Sequence, residues 1–335
     1  MLPDTYRKVV AARFDKNFRS AAEIVETPLA PPAPNEITLR IRYAGVNATD
    51  VNISAGAYTP GKQPPLDLGA EAVGEVVAVG SEVSSFKEGD TALVTTVGSG
   101  YREYYTVRAS RAIPVPEATP EILSLVVSGV TASIGLSVTG EMRSGETVLV
   151  TAAAGGTGQF AVQLAKLAGN HVIGTCSSED KAALLSTLGC DRPVNYRAED
   201  LDTVLREEYP NGVNLIYESV GREMFDTCFN HLAIRGRLVI IGYISEYLSE
   251  RELVTRERVY FHLLSRSASL RAMFLPHFFK QIPDHLAQLV ALYQAGDLRV
   301  EIDPTPFVGV EAVCDAVDYL HSGQSRGKVV VRFGV

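Results

Sequence analysis

The sequence predicts an α/β protein in which a doubly wound parallel sheet follows a first domain made mostly of β-strands. Polar and apolar residues alternate in the first 110 or so residues, whereas strand-like and helix-like segments alternate from about residue 120 onward. Between these regions a strand-like run ends in a glycine cluster and continues directly into helical apolar spacing. With 335 residues, 46% of them hydrophobic, the chain can bury the cores of about two domains.

The first domain is predicted from strand-like segments. Residues 36–44 alternate polar and apolar side chains with a period of two, which is the pattern of a half-buried strand. Residues 71–80 and 91–96 are predicted as further strands, and the Gly and Pro residues between them suit turns. These segments indicate a compact, barrel-like domain.

The later region alternates helices and strands. Residues 120–140 are predicted as a helical segment, and residues 278–295 as a second helix. Strands separated by helices indicate a parallel, doubly wound sheet. Residues 327–333 are predicted as a strand that returns to the first domain. Three further strands are predicted at residues 213–218, 237–242 and 269–274.

The glycine cluster predicts a phosphate-binding turn. Residues 147–151 are rich in β-branched side chains, and the pattern A-x-x-G-G-x-G then precedes a helix over residues 159–167. Gly155, Gly156 and Gly158 would let backbone amides approach a pyrophosphate, and the helix N-terminus adds a partial positive charge. A glycine-rich turn without a ligand is the alternative interpretation.

The end of the next strand indicates which dinucleotide binds. In NAD-binding folds an Asp or Glu lies there and binds the ribose 2′-OH. Here the strand predicted at residues 171–175 ends in Thr175, and Cys176, Ser177 and Ser178 follow it. Lys181 lies one helical turn after Ser177. Hydroxyls and an ammonium suit a 2′-phosphate, so NADPH is predicted. The alternative is a serine N-cap with a solvated lysine.

Composition excludes several classes of protein. The net charge of −8 argues against a nucleic-acid-binding surface. No run was expected to reach the ~20 apolar residues of a membrane span, and no signal peptide is recognisable, so a soluble cytoplasmic protein is expected. The four cysteines lie far apart, and the first 170 residues contain neither Cys nor His. A metal-free protein without disulfides is therefore predicted.

Several segments resemble the medium-chain dehydrogenase/reductase superfamily, in its zinc-free, quinone-oxidoreductase-like branch. Residues 46–58 match the segment where zinc-dependent relatives carry a cysteine ligand, and residues 68–76 match the G-x-E-x-x-G-x-V signature, with Ala70 in place of a ligand histidine. Residues 83–90 match the V-x-x-F-x-x-G-D turn. Within the branch, the runs after Ala152 look most similar to the oxo-prostaglandin reductases.

This resemblance implies a Rossmann NADPH-binding domain inserted into a GroES-like β-barrel substrate domain, in a homodimer whose sheets join through the strand ending at Phe274. The implied bounds are residues 1–126 and 272–335 for the substrate domain and residues 127–271 for the nucleotide domain. The residues implied to hold the NADPH phosphates are Thr157, Ser177, Lys181 and Tyr196. The nicotinamide side is implied to involve Ser219, Ile241, Tyr243, Tyr247, Phe274 and Leu275. Tyr243 replaces a common Phe, and residues 246–262 diverge from the relatives.

Metal-free hydride chemistry favours an acceptor that is already electron-poor, such as an enone or a quinone. Tyr58, in a G-x-Y context, is the candidate hydrogen-bond donor to the developing enolate. The alternative is that Tyr58 is an apolar lid residue that packs on the nicotinamide. Asn47 is predicted to orient the substrate carbonyl, to contact the nicotinamide ribose or to stabilise a turn. For Asp50, an ion pair or a helix cap is a better explanation than a catalytic role. For Glu71, fixing a domain turn is the better explanation.

Three functions fit these features. The first is an NADPH-dependent reductase of α,β-unsaturated ketones, including oxo-prostaglandin-like lipids. The second is an NADPH:quinone oxidoreductase on the same fold. The third is a crystallin-type NADPH-binding protein with little turnover, against which the apparently complete cofactor site argues. In the first two cases the partner is a hydrophobic small molecule, with no nucleic acid or membrane partner expected.

Overall fold

The computed structural model describes residues 2–250 and 253–334, which form two compact units. The first unit contains the chain up to Val127 and from Ile302 onward, and the second contains Ser128–Glu301. The first unit begins with β1 (Thr5–Ala11), α1 (Phe18–Ala21), β2 (Ala22–Pro28), β3 (Glu36–Gly45), α2 (Asp50–Ser54), β4 (Leu66–Asp67), β5 (Ala72–Val79), β6 (Thr91–Val94), β7 (Tyr104–Arg108), β8 (Ile113–Pro114) and α3 (Pro120–Ser124). The second unit contains α4 (Val130–Ile134), β9 (Thr147–Val150), α5 (Gly158–Leu167), β10 (His171–Cys176), α6 (Glu179–Thr187), β11 (Arg192–Asn195), α7 (Leu201–Glu208), β12 (Val213–Glu218), α8 (Arg222–Asn230), β13 (Leu232–Ile240), α9 (Val259–Arg266), β14 (Ser269–Ala272) and α10 (Ile282–Ala295). The chain closes the first unit with α11 (Val313–His321) and β15 (Val330–Arg332).

The first unit is built from two antiparallel sheets. One has the order β2-β1-β4, and the other has the order β15-β3-β5-β6-β8, with β7 also paired to β3. The period-two pattern of β3 buries Ile37, Leu39 and Ile41 completely. β15 pairs antiparallel with β3, which confirms that the predicted C-terminal strand returns to this unit.

The second unit contains one six-stranded sheet in the order β11-β10-β9-β12-β13-β14, and all of its pairings are parallel. The strands β10 and β11 are added on one side of β9, and β12 to β14 are added on its other side. The strand order therefore reverses between β9 and β12. Leu149, Ile173, Ile216 and Leu238, from four neighbouring strands, are fully buried in one core cluster. The predicted doubly wound sheet is confirmed, and ligands bind at such a switch point, beyond the carboxyl ends of the strands.

The return to the first unit lies later in the chain than predicted. It occurs at Ile302, whereas the sequence-based bound is residue 272. Residues 272–301 belong to the second unit because their polar groups bind there: His285 lies 2.7 Å from the Ser133 hydroxyl, and Gln163 binds the carbonyl of Arg299 at 2.9 Å.

Two element starts also differ from prediction. The helix expected over residues 278–295 begins at Ile282, because Phe278 has non-helical backbone angles within a preceding 3₁₀ segment, Leu275–Gln281. Pro283 then occupies the first turn, where its missing amide is tolerated. β13 begins at Leu232 rather than 237, with a register shift against β12 between Val213 and Leu215.

Among the described residues, one helical segment is long and apolar enough to cross a membrane by length and composition, contrary to the sequence-based expectation. It is Pro120–Thr139, where π-helical turns adjoin α4, and its mean hydropathy is 1.9. Within this segment 67% of the most apolar window is buried inside the protein, as in a core helix. Such a segment is weak evidence for a membrane span.

Candidate active site

The glycine-rich turn lies between β9 and α5. The Gly155 amide donates to the Ala152 carbonyl at 3.0 Å, and Ala152 has a positive φ of 47°. A Cβ atom on Gly158 would lie 2.4 Å from the Ala152 carbonyl oxygen, so glycine is needed for α5 to begin this close to the strand. Gly156 and Thr157 complete the turn, and Thr157 occupies the N-cap position without a side-chain capping bond. The positive end of the α5 dipole suits a phosphate group here.

Thr175 holds this turn in place. Its hydroxyl accepts from the Ala152 amide at 3.2 Å, and its carbonyl accepts from the Ala153 amide at 3.0 Å. The side chain is fully buried. The Thr175 hydroxyl thus supports the glycine-rich turn as an acceptor, and a contact between Thr175 and the cofactor stays a prediction.

The end of β10 presents hydroxyl and ammonium groups. The Lys181 ammonium lies 3.3 Å from the Ser177 hydroxyl, whereas Ser178 is the N-cap of α6 and accepts from the Lys181 amide at 3.4 Å. Ser178 therefore caps α6, whereas the Ser177 hydroxyl lies beside the Lys181 ammonium. On α6, the Glu179 carboxylate accepts from the Asn195 side-chain amide at 2.8 Å.

Tyr196 and Arg192 lie at the neighbouring strand β11. The Tyr196 amide donates to the Cys176 carbonyl at 3.1 Å, so the chain after β11 follows the end of β10, and the ring is 45% exposed. Arg192 is engaged by Glu199 and Glu208, each at 2.8 Å or less. Tyr196 is thus available to a nucleotide, whereas the guanidinium of Arg192 is held by carboxylates.

Replacing Lys181 by alanine is expected to weaken NADPH binding by about 10- to 100-fold and NADH binding much less. The physical reason is the loss of a charge-assisted contact to the 2′-phosphate, worth roughly 1.5–3 kcal/mol. Fluorescence titration with each cofactor measures the two dissociation constants. Lys166→Ala, which removes an exposed lysine paired with Asp191, is the matched control. Equal weakening of both cofactors would contradict a 2′-phosphate role.

Two residues at the switch point between β9 and β12, Thr151 and Glu218, were not singled out by the sequence patterns. The Ser219 amide donates to the Thr151 hydroxyl at 2.9 Å, which ties the ends of the two strands together. Glu218 is buried and accepts from the amides of Val220 and Gly221 at 2.8 and 3.1 Å. Burial raises the pKa of the Glu218 carboxyl. These contacts hold Ser219 at the sheet edge, at the place implied for the nicotinamide side.

An aromatic group follows β13. The rings of Tyr243 and Tyr247 meet edge to face at 4.8 Å, and the Tyr247 hydroxyl accepts from the Tyr243 amide at 3.4 Å. Tyr247 is 8% exposed and Tyr243 46% exposed, so Tyr247 supports the ring that Tyr243 presents. The Met273 amide donates to the Ile240 carbonyl at 3.0 Å. This bond brings the exposed ring of Phe274, followed by Leu275, to the same sheet edge as Ile241.

The first unit contains a buried polar cluster around Asn47. Its side-chain amide donates to Glu71 at 2.9 Å and to the Gly45 carbonyl at 3.3 Å, while its oxygen accepts from the Lys328 ammonium at 2.8 Å. Lys328 also donates to Glu71 at 2.6 Å, and both residues of this ion pair are almost completely buried. Because both Asn47 amide hydrogens are engaged, the structure favours the turn-stabilising interpretation over donation to a substrate.

Asp50 adjoins this cluster at the start of α2. Its carboxylate accepts from the backbone amide of Asn47 at 2.8 Å and from the Tyr101 hydroxyl at 2.5 Å. The Asp50 side chain is fully buried, and this desolvation raises the pKa of its carboxyl to about 6. The geometry agrees with a structural role for Asp50, and Tyr101 and Lys328 are members of the cluster that sequence reasoning missed.

Tyr58 lies in the turn after α2 and is 36% exposed. Gly56 in this turn has a φ of 74°, and a Cβ atom there would lie 2.7 Å from the Phe14 ring. Glycine is therefore required at this position, and it lets the turn pack against Phe14 while the Tyr58 ring stays partly exposed. This placement leaves Tyr58 as the candidate hydrogen-bond donor to the developing enolate.

Metal-binding residues were also sought. Among residues 2–250 and 253–334, no group of three or more His, Cys, Asp and Glu side chains is arranged to hold a metal ion. The metal-free character of the protein stays a prediction.

Comparison with known proteins identifies the family. Residues 33–117 match the alcohol dehydrogenase GroES-like domain, and residues 156–291 match the zinc-binding dehydrogenase family. The chain is 46% identical to prostaglandin reductase-3 of Mus musculus, over 98% of this chain and 90% of that protein. It is 43% identical to a probable quinone oxidoreductase of Leishmania amazonensis, over 98% of both.

A solved structure supports the same assignment. The quinone oxidoreductase of Escherichia coli, in complex with NADPH, is 27% identical and superposes with a TM-score of 0.84, over 97% of this chain and 99% of that one. The resemblance found in the sequence is confirmed. The chain belongs to the medium-chain dehydrogenase/reductase superfamily and is an oxidoreductase that uses a nicotinamide cofactor.

Proposed function

We propose that this protein is an NADPH-dependent reductase of the carbon–carbon double bond of α,β-unsaturated ketones. The observation that carries the proposal is the 46% identity with mouse prostaglandin reductase-3 along nearly the whole chain. The corner formed by Ser177 and Lys181 supports the choice of NADPH over NADH, because it offers a hydroxyl and an ammonium where an NAD-binding fold has an acid.

The residues of the second unit fit this cofactor. The backbone of the turn takes the space that a Cβ atom on Gly158 would fill, which lets α5 begin close to β9, and the N-terminus of a helix suits a pyrophosphate. Thr157, Ser177, Lys181 and Tyr196 would hold the phosphates, and Ser219, Ile241, Tyr243 and Phe274 would border the nicotinamide. When bound, NADPH supplies a hydride, which the β-carbon of an enone is electrophilic enough to accept.

The chain's own part in the reaction is to stabilise charge and deliver a proton. Reduction at the β-carbon places negative charge on the carbonyl oxygen, and a hydrogen-bond donor at that oxygen lowers the barrier. Tyr58 is proposed as this donor because its ring is partly exposed in a turn fixed by Gly56. The α-carbon is then protonated by a side chain or by water.

Replacing Tyr58 by phenylalanine is expected to lower kcat by about 100-fold, the usual effect of losing one donor to a developing oxyanion. The affinity for NADPH should hardly change, because the cradle lies in the second unit. Steady-state kinetics and a fluorescence titration separate these two effects. Tyr43→Phe, on β3 of the same unit, is the matched control. An unchanged kcat would leave Tyr58 as a packing residue.

Quinone reduction is the second candidate function. It is favoured by the 43% identity with the probable quinone oxidoreductase of Leishmania amazonensis, which extends over 98% of both chains. NADPH oxidation against an enone, a quinone and a saturated ketone tests the two functions. Turnover of the enone supports the first proposal, whereas turnover of the quinone alone would replace it with the second.

We further propose a homodimer in the cytoplasm. β14 pairs with β13 along one edge, and within the described parts of the chain no strand pairs with its other edge. A second copy could extend the sheet there. Sedimentation velocity tests this proposal: a mass of 36.1 kDa would mean a monomer. Fractionation of cells tests the location.

A further inference from the structure

The first unit contains a cavity lined by residues to which no role has been assigned above. Its volume is about 710 Å³, and it lies against the sheet β2-β1-β4. Lys8 and Val10 line it from β1, and Val25 and Thr27 line it from β2. Side chains two positions apart share a sheet face, and Lys8 is paired with Val25 in the register, so these four side chains form one continuous wall.

The rest of the lining combines apolar and polar side chains, the latter including Thr59, Gln63 and Asp67. Pro65, Leu66 and Val97 add apolar surface, and Lys62 adds a second ammonium. A volume of this size is within the roughly 300–1,000 Å³ of small-molecule sites, and polar and apolar surface contribute about equally to the lining. The walls thus suit a hydrocarbon body that carries a charged head.

The charges at this cavity favour an anion. Asp67 is the acidic residue of the lining, and it is bound by the Lys8 ammonium at 2.7 Å and paired with Arg102. Two cations therefore face one carboxylate, and Lys62 raises the positive excess further. This excess occurs in a chain whose net charge is −8.

Thr59 gives a second, independent indication. It also lines the cavity and is 9% exposed, and its hydroxyl has no hydrogen-bond partner among the described residues. A buried hydroxyl without a partner is unfavourable, and a ligand acceptor would satisfy it.

We propose that this cavity binds an amphipathic carboxylate of the fatty-acid class. The carboxylate pairs with Lys8 and Lys62 and accepts from Thr59, and the hydrocarbon chain packs on Val10, Val25 and Leu66. All of these residues belong to the first unit, and the inference does not depend on the reductase activity.

Calorimetric titration of the NADPH-saturated protein with hexanoate, octanoate and decanoate tests the proposal. We expect saturable binding whose affinity rises up to about fourfold per added methylene while the chain is being buried. We expect 1-decanol, which lacks the charge, to bind at least about 10-fold more weakly than decanoate. Absence of saturable decanoate binding, or equal affinity for the alcohol, would overturn the proposal.

Variants locate the site. Lys8→Met and Lys62→Met are each expected to weaken decanoate binding by about 10-fold, whereas Lys87→Met, an exposed lysine elsewhere in the same unit, should leave it unchanged. Thr59→Val removes a hydroxyl that has no partner in the described structure, so it should weaken decanoate binding without lowering the unfolding temperature. Unchanged binding in all three cavity variants would place the ligand elsewhere and contradict the inference.

Discussion

Replacing Lys328 by methionine is expected to lower the free energy of unfolding by about 3–5 kcal/mol, the usual effect of breaking a buried ion pair from one side. Lys328 and Glu71 are 2% and 0% exposed in their side chains and lie 2.6 Å apart. Without the ammonium, the Glu71 carboxylate would be desolvated with only the Asn47 amide and the Val127 amide as donors. Urea unfolding followed by circular dichroism measures this loss.

The double variant Glu71→Gln/Lys328→Met separates the charge from the packing. Removing both charges together is expected to recover much of the lost stability, because no uncompensated ion then remains buried. Lys87→Met, on the surface of the same unit, should change the unfolding free energy by less than about 0.5 kcal/mol. A loss below about 1 kcal/mol for Lys328→Met would show that the pair is not desolvated as described.

Replacing Gly158 by alanine is expected to weaken NADPH binding by more than about 100-fold. The new Cβ atom would lie 2.4 Å from the Ala152 carbonyl oxygen and 2.7 Å from the Ala153 Cα, so the backbone of the turn or of α5 must move. This movement misplaces the turn that is proposed to bind the pyrophosphate. Losing two charge-assisted contacts of roughly 1.5–3 kcal/mol each accounts for the size of the effect.

The matched control for this variant is Leu167→Ala at the other end of α5, where the side chain is 52% exposed. Circular dichroism shows whether each variant keeps its secondary structure, and fluorescence titration gives the NADPH dissociation constant. Unchanged NADPH affinity in a folded Gly158→Ala protein would mean that this turn does not hold the cofactor.

The sheet of the second unit could be predicted because its signals are local. The apolar runs at β9, β10 and β12 are continuous, as expected for parallel strands buried on both faces, and glycines mark the turn after β9. The return of the C-terminal strand was predicted for the same reason, from the run of valines in β15. Its partner β3 follows from the structure.

The polar cluster of the first unit could not be predicted in the same way. Lys328 and Glu71 are 257 positions apart, and Tyr101 and Asp50 are 51 apart, so their contacts exist only once the strands have paired. A charged residue directly before the apolar run of β15 was the available signal for Lys328. When the contact with Glu71 is not known, Lys328 is interpreted as a residue at the end of a strand.

Asn47 and Thr175 show how tertiary contacts change the interpretation of a candidate residue. Both residue types can bind a ligand, and both occupy positions that the motifs single out. In the structure the Asn47 amide binds Glu71, and the Thr175 hydroxyl binds the backbone of the glycine-rich turn. Motif spacing predicts which residues lie near a site, whereas hydrogen bonds within the protein decide which donors and acceptors of each side chain are already engaged.

The most direct test of the proposed reaction is the fate of the hydride. The protein is incubated with NADPH carrying deuterium at C4 of the nicotinamide, in each of the two stereochemical forms, and with an α,β-unsaturated ketone. We expect one form to give a saturated ketone with a single deuterium on its β-carbon, identified by mass spectrometry and NMR. Deuterium on the carbonyl carbon, in an allylic alcohol, or no transfer from either form, would contradict reduction of the carbon–carbon double bond.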